Sequence, residues 1–344
     1  MKKIKFACVA LCAFLAGFSS LYAGGKKDSD SRKNTVVVYT YDSFASEWGP
    51  GPELVKRFEE ATGYKLDLVN CGDAIQALNK AVLEKNKVQA DIVLGIDNSC
   101  VKMALDAGIL DNYTAKDSDK IIDSSISSAL GGNELVTAFD YGHFAIIWDS
   151  ASSLPAPKSL EDLTSETYAK KIILMDPRTS TPGLGFLAWT VSLFGDSYKD
   201  YWEKLRPNIL SMTTGWSEGW GMFLKGEAPL VISYTTSPAY CIEYDKTDRY
   251  KTLLFDQGHI MQVEGLALLK NAPNPEGAKA FIDFMISAKA QETLPLTQWM
   301  YPVNKEVSLP ASYSAAVPEL PKTLSSDSAR TQSAIEDVIK ILGK

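Results

Sequence analysis

The chain has 344 residues, of which 45% are hydrophobic and 22% are charged. This balance is typical of a folded protein with about two domains, and it excludes a disordered, collagen-like or coiled-coil chain. A net charge of −7 argues against a nucleic-acid-binding surface, and two histidines leave little room for a histidine-based metal centre.

The N-terminus has the pattern of a secretory signal peptide. Three lysines precede an apolar run over residues 6–18, and a small residue, Ala23, follows it. The run is shorter than the ~20 residues that a membrane-spanning helix needs. We predict a signal peptide over residues 1–23 and a flexible polar leader over residues 24–34. The mature chain is then exported, with a lipid tether as an open alternative.

Strand and helix patterns alternate in the first part of the mature chain. Strands are predicted at 35–41, 65–70 and 91–96, and helices at 53–62, 74–85 and 99–107. Apolar strands that alternate with amphipathic helices predict a parallel sheet covered on both faces.

A second α/β set lies between two longer β-runs, at residues 139–148 and 259–269. It has strands at 171–175 and 229–234 and helices at 183–194, 198–205 and 218–224; helices at 276–286 and 333–342 follow the second run. The chain is therefore predicted to cross twice between two lobes. Lobe I comprises residues 35–139 plus 264–344, and lobe II comprises residues 140–263. Because ligands of open α/β sheets bind beyond the carboxyl ends of strands, we predict a ligand cleft between the lobes.

Two predicted loops combine ligand-binding chemistry with ordinary structural roles. The loop that contains Tyr41 and Trp48 offers flat aromatic surface, although packing of strand-end aromatics explains it equally well. In the loop over residues 176–185, Ser180 and Thr181 precede a helix whose free N–H groups would favour an anion such as phosphate. A plain helix cap explains the same hydroxyl groups.

The segment over residues 213–220 carries the G-x-S-x-G pattern of a nucleophile elbow around Ser217. Asp245, Asp248 and His259 follow in the order found in α/β-hydrolases. No glycine-rich oxyanion segment lies upstream, however, and His259 lies within an apolar strand. A serine hydrolase therefore remains a minor alternative.

Further polar and aromatic side chains follow other predicted strands. Hydroxyl groups cluster over residues 233–240, and Trp299 lies in an aromatic loop near the C-terminus. Asp73 follows the second strand, where it can cap the next helix, face the cleft, or do both.

Six sequence blocks now identify a resemblance. VYTYDSFASEWGPGP, DPRTSTPGLG, TGWSEGW, FLKGE, SYTTSPAY and WMYPV occur in this order between about residues 36 and 303. Together they resemble the periplasmic thiamine-binding proteins of bacterial ABC importers. The resemblance implies an α/β periplasmic-binding-protein fold of type II, with two lobes and two crossover strands. It also implies a monomeric, non-enzymatic carrier without cofactor that delivers thiamine, or its mono- and diphosphates, to a permease and its ATPase.

The resemblance also implies which residues contact the ligand. The family's contacts fall on Asp73, Ala74, Ser180, Thr181, Trp216, Tyr234, Thr235, Thr236 and Ser237. Matching aromatic loops add Tyr41, Trp48, Tyr240 and Trp299. Thiamine has a flat aminopyrimidine ring, a cationic thiazolium ring and a hydroxyethyl arm. Aromatic faces can stack on both rings and stabilise the cation, a carboxylate can complement the charge, and hydroxyl-rich loops can hold the arm. Ala74 departs from the glycine expected in the family.

Other solutes and a disulfide stay open as alternatives. A ferric-binding protein would need anionic ligands such as tyrosinates, and no adjacent Tyr-Tyr pair is present. A polyamine would suit acidic and aromatic residues but has no use for a phosphate-ready loop. Cys71 and Cys100 could meet if their strands are neighbours, although free buried thiols are favoured for both and for Cys241.

Overall fold

The structure is a computed structural model, and we describe its residues 33–343. The predicted signal peptide and nearly all of the predicted leader lie outside the described residues. Within them, no helix combines the length and the apolar character that a membrane crossing requires.

The described residues form eleven strands and fourteen α-helices. The strands are β1 (Thr35–Thr40), β2 (Lys65–Asn70), β3 (Ile92–Asp97), β4 (Thr137–Asp149), β5 (Ile172–Met175), β6 (Ile209–Thr213), β7 (Leu230–Tyr234), β8 (Tyr250–Leu253), β9 (His259–Leu268), β10 (Tyr301–Pro302) and β11 (Thr323–Leu324). The helices are α1 (Asp42–Ala45), α2 (Gly51–Thr62), α3 (Ala74–Leu83), α4 (Val101–Ala107), α5 (Ser118–Ile121), α6 (Ser124–Ala129), α7 (Thr181–Phe194), α8 (Tyr198–Leu205), α9 (Trp216–Leu224), α10 (Ser237–Glu243), α11 (Pro275–Met285), α12 (Ala288–Gln291), α13 (Ala311–Ala316) and α14 (Ser328–Leu342).

The first three strands form the predicted parallel sheet. β1 pairs in parallel with β2 and with β3, and every residue of β3 is buried, as expected for a strand covered on both faces. α2 packs on β2 and α3 packs on β3. Gly63 ends α2 with a φ of 79°, the left-handed conformation that glycine adopts without strain.

The two long strands lie at the centre of the sheet. The first half of β4 pairs with β9, and its second half pairs with β7 and β8. β9 also pairs with β3, so the strand order is β2-β1-β3-β9-β4-β7-β5-β6. Both β4 and β9 therefore run from one half of the molecule into the other, which confirms the predicted two-lobed α/β architecture with two crossover strands.

The second α/β set surrounds β5, which pairs in parallel with β6 and β7. α7 is buried along its first eleven residues, because it lies in the interior of this half of the molecule. The sequence predicted neither β6 nor β8. Both are short and partly exposed, so neither has the apolar run of a buried strand.

The last helix, α14, packs against α7 and α8. The Tyr198 hydroxyl donates to Asp337 at 2.8 Å, and Lys199 forms an ion pair with the same carboxylate. The C-terminal helix thus lies on elements assigned to lobe II, whereas the prediction assigned residues 264–344 to lobe I. The division at 139/140 and 263/264 stays a prediction.

The three cysteines of the described chain are free thiols. Cys100 and Cys241 are buried, and burial raises the pKa of the Cys100 thiol well above its usual range. Cys71 is half-buried and does not pair with Cys100. The preference for free thiols over a disulfide is therefore confirmed.

Candidate functional site

A cavity of about 510 Å³ lies beyond the carboxyl ends of β1, β2, β5, β6 and β7. This is the position expected for a ligand of open α/β sheets. Ten of the thirteen residues predicted to contact the ligand line the cavity: Tyr41, Trp48, Asp73, Ala74, Thr181, Trp216, Tyr234, Ser237, Tyr240 and Trp299. The other three, Ser180, Thr235 and Thr236, are fully buried behind its wall.

Asp73 joins the loop after β2 to the first turns of two helices across the cleft. Its Oδ1 atom accepts the backbone N–H of Ala74 at 2.7 Å and that of Thr181 at 3.3 Å. Its Oδ2 atom accepts the backbone N–H of Trp216 at 3.1 Å. Burial raises the pKa of Asp73 to about 6, although these hydrogen bonds offset part of the effect. The carboxylate thus occupies the position that favours an anion at the N-termini of α7 and α9.

The two hydroxyl residues at the start of α7 differ in position. Thr181 lines the cavity, whereas Ser180 is fully buried. The Ser180 hydroxyl makes no hydrogen bond to the described residues within normal distance, but it lies close enough to Asp73 to lower the pKa of that carboxyl. The N-terminus of α7 therefore reaches the cavity through Thr181 and Pro182, and the backbone N–H of Thr181 is donated to Asp73.

Tryptophans form one side of the cavity and its mouth. The Trp216 and Trp220 rings stack with centroids 5.7 Å apart, and Trp48 lies 6.4 Å from Trp216. The Trp216 indole N–H donates to Ser233 at 2.8 Å, which fixes the ring orientation. Trp48 is 55% exposed even though it lines the cavity, so it marks the opening to solvent.

The hydroxyl-rich segment at the end of β7 turns only part of its polar surface toward the cavity. Ser237 lines the cavity, and its hydroxyl hydrogen-bonds with that of Ser233 at 2.7 Å. Thr236 donates instead to the carbonyl of Trp299, and the Thr235 hydroxyl is buried without a partner among the described residues. Tyr234 stacks on Phe144 of β4 with centroids 5.2 Å apart.

Trp299 has a left-handed backbone with a φ of 61°. This conformation is strained for a bulky residue, and the surrounding structure has to hold it in place. Tyr313 stacks on the Trp299 ring at 6.2 Å, and Tyr240 and Tyr244 contact it edge-on at 5.6 and 5.7 Å. Four aromatic rings thus fix one end of the cavity.

Sequence reasoning missed several polar residues that line the cavity, among them Glu264 and Gln298. Glu264 accepts the Tyr41 hydroxyl at 2.7 Å, and the Gln298 amide donates to the same hydroxyl oxygen at 2.5 Å. A signal for Glu264 was present, because a lone carboxyl group interrupts the apolar run of β9. Buried carboxyl groups in apolar strands are rare unless they are paired or functional.

The geometry of His259 excludes it as the catalytic base of a hydrolase. Its Nε2 atom accepts the backbone N–H of Phe255 at 2.8 Å, and its Nδ1 atom is 2.8 Å from the carbonyl oxygen of Phe144. Both ring nitrogens are therefore occupied, and burial lowers the pKa of the ring. Ser217 lies in the first turn of α9 and lines the cavity without this histidine.

The charges around the cavity favour a cationic ligand. Asp73 and Glu264 line it, whereas none of the described residues that line it is a lysine, arginine or histidine. Residues 33–343 contain no group of three or more His, Cys, Asp or Glu side chains arranged to hold a metal ion.

Comparisons with known proteins agree with this geometry. The family described as bacterial extracellular solute-binding protein matches residues 53–322. The chain is 40% identical over 313 residues to the thiamine-binding periplasmic protein of Brucella suis biovar 1 (strain 1330), covering 90% of this chain and 91% of that protein. It is 41% identical over 283 residues to the protein of the same name from Escherichia coli (strain K12), covering 82% and 84%. A solved periplasmic thiamin binding protein has a TM-score of 0.82 and 39% identity, covering 90% of this chain and 96% of that one.

Proposed function

The chain belongs to the family of bacterial extracellular solute-binding proteins, and we propose that it captures thiamine in the periplasm for an ABC importer. The observation that carries this proposal is the combination of groups around one cavity. Stacked tryptophans suit flat rings, and buried carboxyl groups suit a cation. The N-termini of α7 and α9, whose N–H groups bind Asp73, suit a phosphorylated arm once it takes the place of that carboxylate. Thiamine has the flat rings and the positive charge, and its phosphates add the anionic arm.

The protein acts as a carrier rather than as an enzyme, and it needs no cofactor. It is a monomer that presents its closed form to a permease, and the partner ATPase supplies the energy for import. The two curated relatives and the solved structure, whose names state thiamine binding, support this role. We also propose that the thirteen predicted residues form the binding site, with Ser180, Thr235 and Thr236 supporting the cavity wall from behind.

Calorimetric titration tests the proposal. The mature protein is unfolded and refolded to remove any ligand bound during expression, and it is then titrated with thiamine, thiamine monophosphate and thiamine diphosphate. Saturable 1:1 binding of at least one form is expected. Spermidine serves as a control, because it shares the positive charge but has no aromatic ring. Spermidine binding without thiamine binding would favour the polyamine alternative.

A further inference from the structure

Three carboxyl groups lie side by side across the central strands. Glu264 of β9 is the register partner of Asp97 on β3 and of Asp140 on β4. All three are buried; Asp97 and Asp140 have no exposed surface, and Glu264 is 4% exposed. Like charges directly opposite each other in a sheet are destabilising, and burial makes each charge costly. The ligand-free protein is therefore more stable when some of these three carboxyl groups, here called the carboxyl row, are protonated.

The three carboxyl groups have different partners. Asp97 accepts the backbone N–H groups of Ser99 and Cys100 and the side-chain amide of Gln262, so its two oxygens are satisfied. Both oxygens of Asp140 are buried without a hydrogen-bond partner among the described residues. Burial and the neighbouring Glu264 charge raise the pKa of Asp140 well above its usual range. Burial without a hydrogen-bond partner therefore favours a proton on Asp140 whether or not a ligand is bound.

Glu264 is the member of the row that faces the ligand space. It lines the cavity, and its Oε2 atom accepts the Tyr41 hydroxyl at 2.7 Å. Its Oε1 atom has no partner in the described part of the chain. Burial raises the pKa of Glu264; the Tyr41 hydrogen bond lowers it in part, and the Asp97 and Asp73 charges raise it further.

The titratable groups around Glu264 are carboxyl groups, phenols and one thiol, and none of them is basic. They are Tyr41, Asp73, Asp97, Cys100, Asp140 and Tyr234. Negative potential from this row is therefore not offset by any basic side chain on the described cavity wall. A cation that enters the cavity supplies the missing counter-charge.

We propose that Glu264 recognises the positive charge of the ligand and releases a proton to solvent when the cation binds. This inference rests on the proposed function, since the thiazolium ring of thiamine is the cation. Only the O–H bond of the carboxyl group breaks, and water or buffer takes up the proton. Because the ionised form binds the cation, affinity rises as pH rises through the raised pKa.

Titration of the parent protein with two ligands tests this proposal without any substitution. The ligands are thiamine and its neutral thiophene analogue, in which a carbon atom replaces the charged ring nitrogen. Calorimetry in phosphate and in Tris, whose ionisation enthalpies differ, measures the protons released. We expect release of up to one proton per thiamine, and about tenfold or more weaker binding of the neutral analogue.

Equal affinity for the two ligands without proton release would overturn the role of Glu264 and leave thiamine binding standing. Failure of the parent to bind thiamine would overturn both proposals. The two results are therefore distinguishable.

Substitution provides a second test. Glu264→Gln keeps the size and the Tyr41 contact, and its removal of a like charge from the row favours a folded variant. We expect it to weaken thiamine binding by roughly 10- to 100-fold, to leave binding of the neutral analogue nearly unchanged and to abolish proton release. Glu47→Gln is the matched control, because Glu47 is exposed and does not line the cavity. Equal weakening of both ligands in a cooperatively folded Glu264→Gln protein would show a steric role and overturn the proposal.

Discussion

Asp73 accepts the backbone N–H of Trp216 at 3.1 Å, although 143 positions separate the two residues in the chain. The contact links the loop after β2 with the first turn of α9 and thereby joins the two walls of the cleft. The same carboxylate accepts the N–H of Thr181 at the start of α7. A phosphorylated ligand that uses these N–H groups has to replace the carboxylate with its own oxygens.

This arrangement predicts a ligand-specific effect at the start of α7. The double substitution Ser180→Ala and Thr181→Ala should weaken the binding of thiamine diphosphate about tenfold more than the binding of thiamine. Only the phosphorylated arm places an anion at this position. Calorimetric titration of both ligands measures the difference. Thr179→Ala is the control in the same loop, because the Thr179 hydroxyl donates to the Thr214 carbonyl and does not line the cavity. Equal losses for both ligands would mean that these hydroxyl groups only support the helix.

The burial of Asp73 predicts a pH dependence of stability. Its pKa rises from 3.8 to about 6 in the folded protein, so the folded state binds this proton more tightly than the unfolded chain does. The stabilisation is therefore complete below pH 3.8 and is lost as pH rises through about 6. The loss amounts to about 3 kcal/mol at most. Urea denaturation should show the unfolding free energy of the parent, relative to Asp73→Asn, falling over this window and levelling above it. A difference that stays constant with pH would contradict the assignment.

Trp216 predicts both a binding loss and a spectroscopic change. Its ring lines the cavity and stacks on Trp220, so a bound aromatic ligand should quench its fluorescence. Trp216→Ala should remove much of this quenching and reduce the binding free energy by about 1–3 kcal/mol. Trp148→Phe is the control, because Trp148 does not line the cavity. Parent-like quenching in Trp216→Ala would place the ligand elsewhere.

The close approach of Gly95 to the Tyr41 ring predicts that a larger residue at position 95 disturbs the binding site. The φ of Gly95 is 103°, and an added Cβ would lie 2.7 Å from the Tyr41 ring. Gly95→Ala should therefore destabilise the protein by about 1–3 kcal/mol and weaken thiamine binding, because the Tyr41 ring has to move. Gly63→Ala also places alanine at positive φ, but nothing lies within 4 Å of its added Cβ. Thermal unfolding and titration of both variants separate the steric contact from backbone strain. Equal effects of the two substitutions on binding would contradict the role of Gly95.

The sequence was sufficient for features that depend on local pattern. Alternating apolar strands and amphipathic helices predicted β1, β2 and β3, and the two long β-runs predicted the crossovers β4 and β9. Features that depend on tertiary contacts were not predictable in this way. The last helix has an apolar face that could pack on either lobe, and contacts such as Tyr198 with Asp337 decide its place.

The cavity lining shows the same limit. Thr235 and Ser237 have similar chemistry and lie two positions apart, yet only Ser237 reaches the cavity. The direction of each side chain at the end of β7 depends on how α10 begins. Glu264 was missed because a single carboxyl group in an apolar run gives no indication of what lies opposite it.

The placement of α14 has a mechanical consequence. β10 lies in the first half of the sheet beside β4, whereas α14 packs on α7 and α8, so the chain passes between the halves a third time after β4 and β9. Two bodies joined by three segments bend about one axis far more easily than they swivel. We therefore expect the two lobes to open and close by rotation about a single hinge axis. Asp73 would then return to the N-termini of α7 and α9 each time the cleft closes. We therefore expect the outer surface of the closed form to be the same whichever thiamine derivative is bound.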